Sequence, residues 1–352
     1  MIEIENDAPL INEDDDKLNF QPYTEKIADL IFTYNKQKSL VLSLEGEWGS
    51  GKTTFLNFLE KEIKTKLEEN KETKYIFLHF NPWLISDSNQ IIKIFFEELE
   101  KSILKCNIFK KISKNIIKLI KKFSISLKPD TMTFKAKIMN IQYKFNKSPK
   151  EKTLLELKEE INTNLEKLNC KIIIIIDDID RLLDNEIEQI FRLVKSVADF
   201  HNIIYILAYD KKVISKSLEK LISENGEKYL EKIVTYHVTI PKTHQITLRK
   251  MIENKLTSIY RPFSSTVENL FVLIDGKTCI NLVLEYIHTI RNKNRLLNII
   301  SLEFPIIHEE VNFYDFIIIS LIRIINNDLY EYIKKNPHIF NSKNHAKNQT
   351  IA

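Results

Sequence analysis

The chain has 352 residues, 43% hydrophobic and 28% charged, the balance of a globular protein with one large or two medium domains. Three scattered cysteines, Cys106, Cys170 and Cys279, and eight dispersed histidines exclude a disulfide framework and a zinc site, so the thiols are expected to be reduced. The net charge of +4 conceals an asymmetry: residues 101–150 carry fourteen Lys, no Arg and the single acid Asp130, which is +13 and leaves the rest of the chain at −9.

Residues 1–16 hold seven acidic groups and no Lys or Arg, the reverse of a secretory leader. The apolar runs at 172–176 and 316–325 are too short, or interrupted by Arg323, for a membrane span, and a cytoplasmic location is expected. Residues 17–36 read as an amphipathic helix with Ile27, Leu30, Ile31 and Tyr34 near one face. A strand at 39–44 leads into Gly46-Glu47-Trp48-Gly49-Ser50-Gly51-Lys52-Thr53, where three of the chain's five glycines fall within six positions. A helix to about residue 71 follows, then a strand at 74–80 closed by Asn81-Pro82-Trp83.

Residues 90–122 are helical by spacing, 123–150 are irregular with Pro129 and Pro149, and 152–168 are helical. Residues 171–176 have the continuous β-branched character of a central parallel strand and end in Asp177-Asp178. A helix through 187–197 and a strand at 203–208, ending at Tyr209-Asp210, come next, and beyond Pro241 the pattern is helical. The expected fold is α/β: a doubly wound parallel sheet over residues 1–240, with a lysine-rich insertion at 101–150, then a helical lid over 241–352.

The glycine-rich segment matches the G-x-x-x-x-G-K-[ST] phosphate loop between a strand and a helix. Glycines let the backbone N–H groups of residues 46–54, Thr54 included, turn toward phosphate oxygens, and the helix beginning near Lys52 adds its positive end. Lys52 is expected between the β- and γ-phosphates, with the Thr53 hydroxyl ligating Mg²⁺. Two adjacent carboxylates at a strand end repel each other unless a cation neutralises them. Asp177 is therefore expected beside Thr53 on the metal, and Asp178 toward the γ-phosphate, polarising a water. Arg181 and Arg192 are each either an arginine finger acting in trans or a structural salt bridge.

Ile108, Ile112, Ile116 and Ile120 recur every four positions among lysines, so one helix face is apolar and the rest cationic. Such a helix packs on the protein, grips nucleic-acid phosphates or lies on an anionic membrane. The absence of Arg and the few aromatics argue against base-specific readout.

With Asp15-Asp16-Lys17-Leu18-Asn19-Phe20, the phosphate loop, Phe80-Asn81-Pro82-Trp83, Asp177-Asp178-Ile179-Asp180-Arg181, Leu207-Ala208-Tyr209-Asp210 and 289–298 in this order, residues 8–300 resemble the KAP family of P-loop NTPases. That group is related to STAND and AAA-type ATPases. Ile290 stands where members often have Pro, and the lysine-rich insertion stands where many carry transmembrane helices, so the resemblance implies a soluble member. It also implies that Arg291 is a sensor arginine reaching the γ-phosphate and that Asp210 sits where relatives place a polar sensor. Base contacts would come from residues 16–23.

The expected activity is Mg²⁺-dependent hydrolysis of ATP, with no guanine-reading N/T-K-x-D motif apparent. The role implied by the family is a conformational switch or assembly ATPase in bacterial defence against phage, acting as a homo-oligomer or with a partner protein. The alternatives are a nucleic-acid-dependent motor and an interaction module that binds nucleotide with little turnover.

Overall fold

The computed structural model describes residues 4–12, 16–34, 38–69, 74–85, 87, 90–105, 110–127, 152–168, 170–221, 225–263, 273–274 and 277–338. Helix α1 (Gln21–Thr33) has Pro22 in its first turn, where the missing N–H is not needed, and leads to strand β1 (Leu40–Glu45). Helix α2 (Lys52–Glu69), strand β2 (Lys74–Phe80) and helices α3 (Ile91–Lys105), α4 (Lys110–Ser126) and α5 (Leu154–Leu168) follow. Strand β3 (Cys170–Ile176), helix α6 (Asp184–Arg192), strand β4 (Ile203–Tyr209), helices α7 (Lys211–Leu221) and α8 (Gly226–Glu231) and strand β5 (Tyr236–Thr239) complete the α/β part. Beyond it lie helix α9 (Gln245–Tyr260), the two-residue strands β6 (Leu273–Ile274) and β7 (Lys277–Thr278), and helices α10 (Cys279–Tyr286), α11 (Ile290–Ile307), α12 (Phe313–Ile325) and α13 (Asn327–Lys335).

The five long strands form one sheet in the order β2-β3-β4-β1-β5, and every neighbouring pair is parallel. Because successive side chains alternate between faces, the isoleucine run of β3 divides. Ile172, Ile174 and Ile176 join Tyr205, Leu207 and the helices α3 to α8 on one face. Ile173 and Ile175 join Leu40, Leu42, Ile204 and the helices α1 and α2 on the other. Both faces are thus covered, which is why β3 and β4 read as nearly continuous apolar runs, whereas β1 also buries Ser43 and Glu45.

The helical region has its own core of Leu248, Ile252, Val283, Leu297, Ile300, Phe304 and Ile317. Cys170 and Cys279 are buried and in no disulfide, and burial pushes the Cys279 thiol up to about 11.

Several expectations needed correction. The long helix at 90–122 is two helices, α3 and α4, and α4 runs on to Ser126, past the residue where irregular structure was expected. Residues 193–197 leave the α-helix as one wider turn, with Ala198 donating to Leu193 across five residues. β5 went unseen because this edge strand exposes Tyr236 and Thr239 and lacks an apolar run, and β6 and β7 interrupt the all-helical C-terminal pattern. Ile116 and Ile120 are buried with Phe123, so this part of the α4 stripe packs on the protein; Cys106, Ile108 and most of 123–150 lie outside the described residues. Among the described residues no helix is long and apolar enough to cross a membrane.

Candidate nucleotide site

The site lies at the carboxyl ends of β1, β3 and β4, where the sheet delivers the phosphate loop, the acidic pair and Asp210 to one edge. Glu45 ends β1; Gly46 donates its N–H to Tyr209 O at 3.2 Å and Ser50 donates to Glu47 O at 3.1 Å, which closes the loop before α2 begins at Lys52. Gly49 and Gly51 have φ of 82° and 97°, where a side chain is strained. Their surroundings are also closed: a Cβ on Gly49 would lie 2.7 Å from Arg291 Cβ, and one on Gly51 would lie 3.1 Å from the Phe20 ring.

Across β4, Thr53 donates its hydroxyl to Asp177 Oδ2 at 2.8 Å, although the two residues are 124 positions apart. Lys52 Nζ donates to Gly46 O at 3.0 Å and to Asp180 Oδ2 at 3.2 Å. Asp178 adopts the left-handed conformation, φ 58° and ψ 29°, and its N–H is held by Asp177 Oδ1 at 2.8 Å. Its carboxylate meets Arg181 Nε at 2.8 Å. Burial, followed by the charge of Asp177, pushes the Asp178 carboxyl above the ordinary carboxylate range, with Arg181 and Lys52 opposing.

Beside these groups is a cleft of ≈ 300 Å³ lined by Gly49, Gly51, Lys52, Thr53, Asp178 and Arg291 among others. Among the described residues no cluster of three or more His, Cys, Asp or Glu is placed to hold a metal ion. The adjacent oxygens of Thr53 and Asp177 nevertheless suit Mg²⁺, which keeps several waters and uses one or two protein oxygens with substrate phosphates.

Arg291, at the start of α11, stacks its guanidinium 4.6 Å over the Trp48 ring and reaches Asp7 Oδ2 at 3.4 Å; its Nη1 is buried without a partner. Asp210 is not among the cleft-lining residues: its carboxylate caps α7 by accepting from Lys212 N at 2.9 Å, and its own N–H donates to Asp180 Oδ2. Glu47 is exposed and pairs with Lys212. Arg295 is exposed on α11, and Arg192 lies on α6, away from the cleft lining. Asp16 accepts from Leu18, Phe20 and Gln21 N–H at 3.0, 2.6 and 3.2 Å, which sets Phe20 against the loop and leaves Lys17 and Leu18 in the cleft wall.

Two features escaped the sequence reading. Residues 5–10 form a polar strap: Glu5 and Asn298 exchange hydrogen bonds at 2.7 and 2.9 Å, and Lys293 reaches Glu5 Oε2 at 3.3 Å. Asn294 donates to Asp7 Oδ1 at 2.9 Å, while Leu10 donates to Thr54 Oγ1 at 3.1 Å, so the strap joins α11 to α2. Burial pulls the Lys293 ammonium below its ordinary range, and Glu5 opposes that shift. Beneath the loop, Glu45 is buried with its Oε1 accepting from Ser43 Oγ at 2.9 Å and 2.6 Å from His237 Nδ1 on β5. The acidic run in residues 1–16 was the one visible signal for the strap; nothing marked His237.

Residues 20–306 match the KAP family P-loop domain, which is most of the chain. The chain belongs to this family. It is 25% identical over 356 residues to the phage T7 exclusion protein of Escherichia coli (strain K12), and the match covers 93% of this chain and 47% of that protein. The chain therefore spans about half the length of this curated relative. Among solved structures, the ORC2 protein of Aeropyrum pernix in its ADP form aligns at 10% identity and a TM-score of 0.40, over 91% of this chain and 70% of that one. A Walker-type ATPase of Pyrococcus abyssi aligns at 15% identity and a TM-score of 0.39, over 94% and 79%.

Proposed function

We propose that the protein is a Mg²⁺-dependent ATPase whose turnover drives a conformational switch or an assembly step in the exclusion of phage. The observation that carries the reading is the 2.8 Å contact between Thr53 and Asp177, which joins the phosphate loop to the acidic strand. Lys52 and the loop amides take the β- and γ-phosphates, and Thr53 and Asp177 are the residues that would hold Mg²⁺, which would supply neutralising charge to the phosphates. Asp178, raised by burial, orients and takes a proton from the attacking water. Arg291 leaves Asp7 to approach the γ-phosphate as the helical region closes as a lid over the site. The exclusion role is carried over from the phage T7 exclusion protein, in which this chain matches less than half the length.

Hydrolysis of ATP and GTP by the purified protein tests the reading. Asn tolerates the left-handed backbone that Asp178 adopts, so Asp178→Asn is expected to bind ATP while turnover falls by roughly 10²–10⁴-fold. Equal turnover in the two proteins would leave Asp178 without a catalytic role and favour a binding module. Stimulation by DNA, RNA or anionic liposomes would instead implicate the lysines of residues 101–150.

A further inference from the structure

Lys52 and Asp180 face each other at 3.2 Å, and both side chains are 8% exposed. An ammonium has three donors, and here two are engaged inside the protein, by Asp180 Oδ2 and by Gly46 O at 3.0 Å. The same Asp180 oxygen accepts the N–H of Asp210 at 3.2 Å, so one carboxylate ties the loop lysine to the tip of β4.

Its position follows from the backbone. The left-handed residue Asp178 reverses the chain after β3. A single tight turn, with Arg181 N donating to Asp178 O and Leu182 N to Ile179 O, then aims Asp180 back under the loop, while Ile179 is fully buried and anchors it. A non-glycine residue in that region is retained when its surroundings over-determine it. Of the three carboxylates in this turn, Asp177 meets Thr53, Asp178 meets Arg181, and Asp180 meets the lysine that phosphate needs.

Resting on the nucleotide reading above, we propose that Asp180 is a positioning residue that competes with the substrate for Lys52. It holds the ammonium in place while the loop is empty, and an incoming polyphosphate displaces it. The pair stabilises the free state only, because with phosphate in the loop Asp180 loses its cation and lies near added negative charge. A contact made only in the free state lowers affinity by its full worth. Asp180 thus keeps the empty loop ordered and sets the nucleotide concentration at which it fills, while its bond to the Asp210 N–H persists in both states.

The competition gives opposite signs to two measurements that a merely structural role would move together. In Asp180→Asn the amide oxygen still accepts from Asp210, but the charge is gone. The nucleotide-free protein is expected to unfold at lower temperature, while inorganic tripolyphosphate and metal-free ATP bind about tenfold more tightly by calorimetry. Asp180→Ser, measured in the same way, supplies the reading should the Asn variant not fold. Tighter binding with a lower melting temperature supports the proposal. Binding that is unchanged or weaker in the Asp180 variants, but lost in Lys52→Ala, overturns it and leaves the nucleotide reading intact. Wild type that binds neither ligand, or Lys52→Ala that binds both undiminished, overturns the two together.

Discussion

The two sides of the cleft are held by different forces. On the sheet side, Lys52 and Thr53 at the start of α2 and Asp177 and Asp180 just after β3 are joined in two pairs at 2.8 and 3.2 Å, beside strands whose side chains are mostly buried. On the helical side, Arg291 and Lys293 are positioned by the strap, through ion pairs of 3.3–3.4 Å to Asp7 and Glu5, which are themselves 42% and 32% exposed. Partly exposed pairs contribute about 0–1 kcal/mol each and are weakened by salt, whereas a buried pair broken on one side is strongly destabilising. On the proposed function, the contrast puts binding on the sheet side and response on the helical side, where the acids that hold Arg291 and Lys293 reach water.

Four substitutions test that contrast. The largest effect is expected from Lys52→Ala, which removes charge-assisted bonds worth about 3 kcal/mol to phosphate and so weakens ATP binding by roughly 100-fold in calorimetry. The same change leaves Asp180 buried and unpaired, so the free protein also melts earlier. Gly49→Ala sits where the two sides meet, combining a φ of 82° with a Cβ 2.7 Å from Arg291; a stability loss of about 1–3 kcal/mol is expected in urea unfolding. A loss near zero would mean that α11 yields freely.

Arg291→Ala removes a stacked cation and a partly exposed ion pair, so stability should fall by only about 1 kcal/mol. Turnover should nevertheless drop by roughly 10–100-fold, with ATP affinity nearly unchanged. A parallel loss of affinity would place this arginine on the binding side of the contrast.

The smallest effect concerns Glu60 on α2. Burial would raise its carboxyl, but hydrogen bonds from His79 and Lys64 outweigh that and hold it at about 2, below the ordinary 4.5. A depressed carboxylate contributes stability that is present above pH 4.5 and lost as the pH falls toward 2. Glu60→Gln is expected to lower stability by about 1 kcal/mol at pH 6, with the gap to wild type closing between those limits.

Much of the sheet side could be read along the chain, and most of the helical side could not. Glycine scarcity picked out the loop, and the isoleucines before Asp177 picked out a strand buried on both faces, because those features are local. The pairing of Thr53 with Asp177 was expected from the two motifs, whereas the placing of β4 between β1 and β3 is a matter of strand order that the chain does not display. Asp180 stood in view within its motif, yet its inward aim depends on one left-handed residue that Asp, unlike Gly, does not advertise. The strap depends on acids and amides that resemble any solvated terminus until Lys293, Asn294 and Asn298 are found opposite them. β5 was hidden because an edge strand lacks the apolar run that marks a central one.

The stacking of Arg291 on Trp48 gives the molecule an intrinsic optical gauge. The chain has two tryptophans, and the Trp48 indole has a guanidinium over one face while the other residue, Trp83, follows β2. In a Trp83→Phe background, emission from the indole ring at the loop would report in real time whether the arginine leaves it when ATP is added, without attaching a dye.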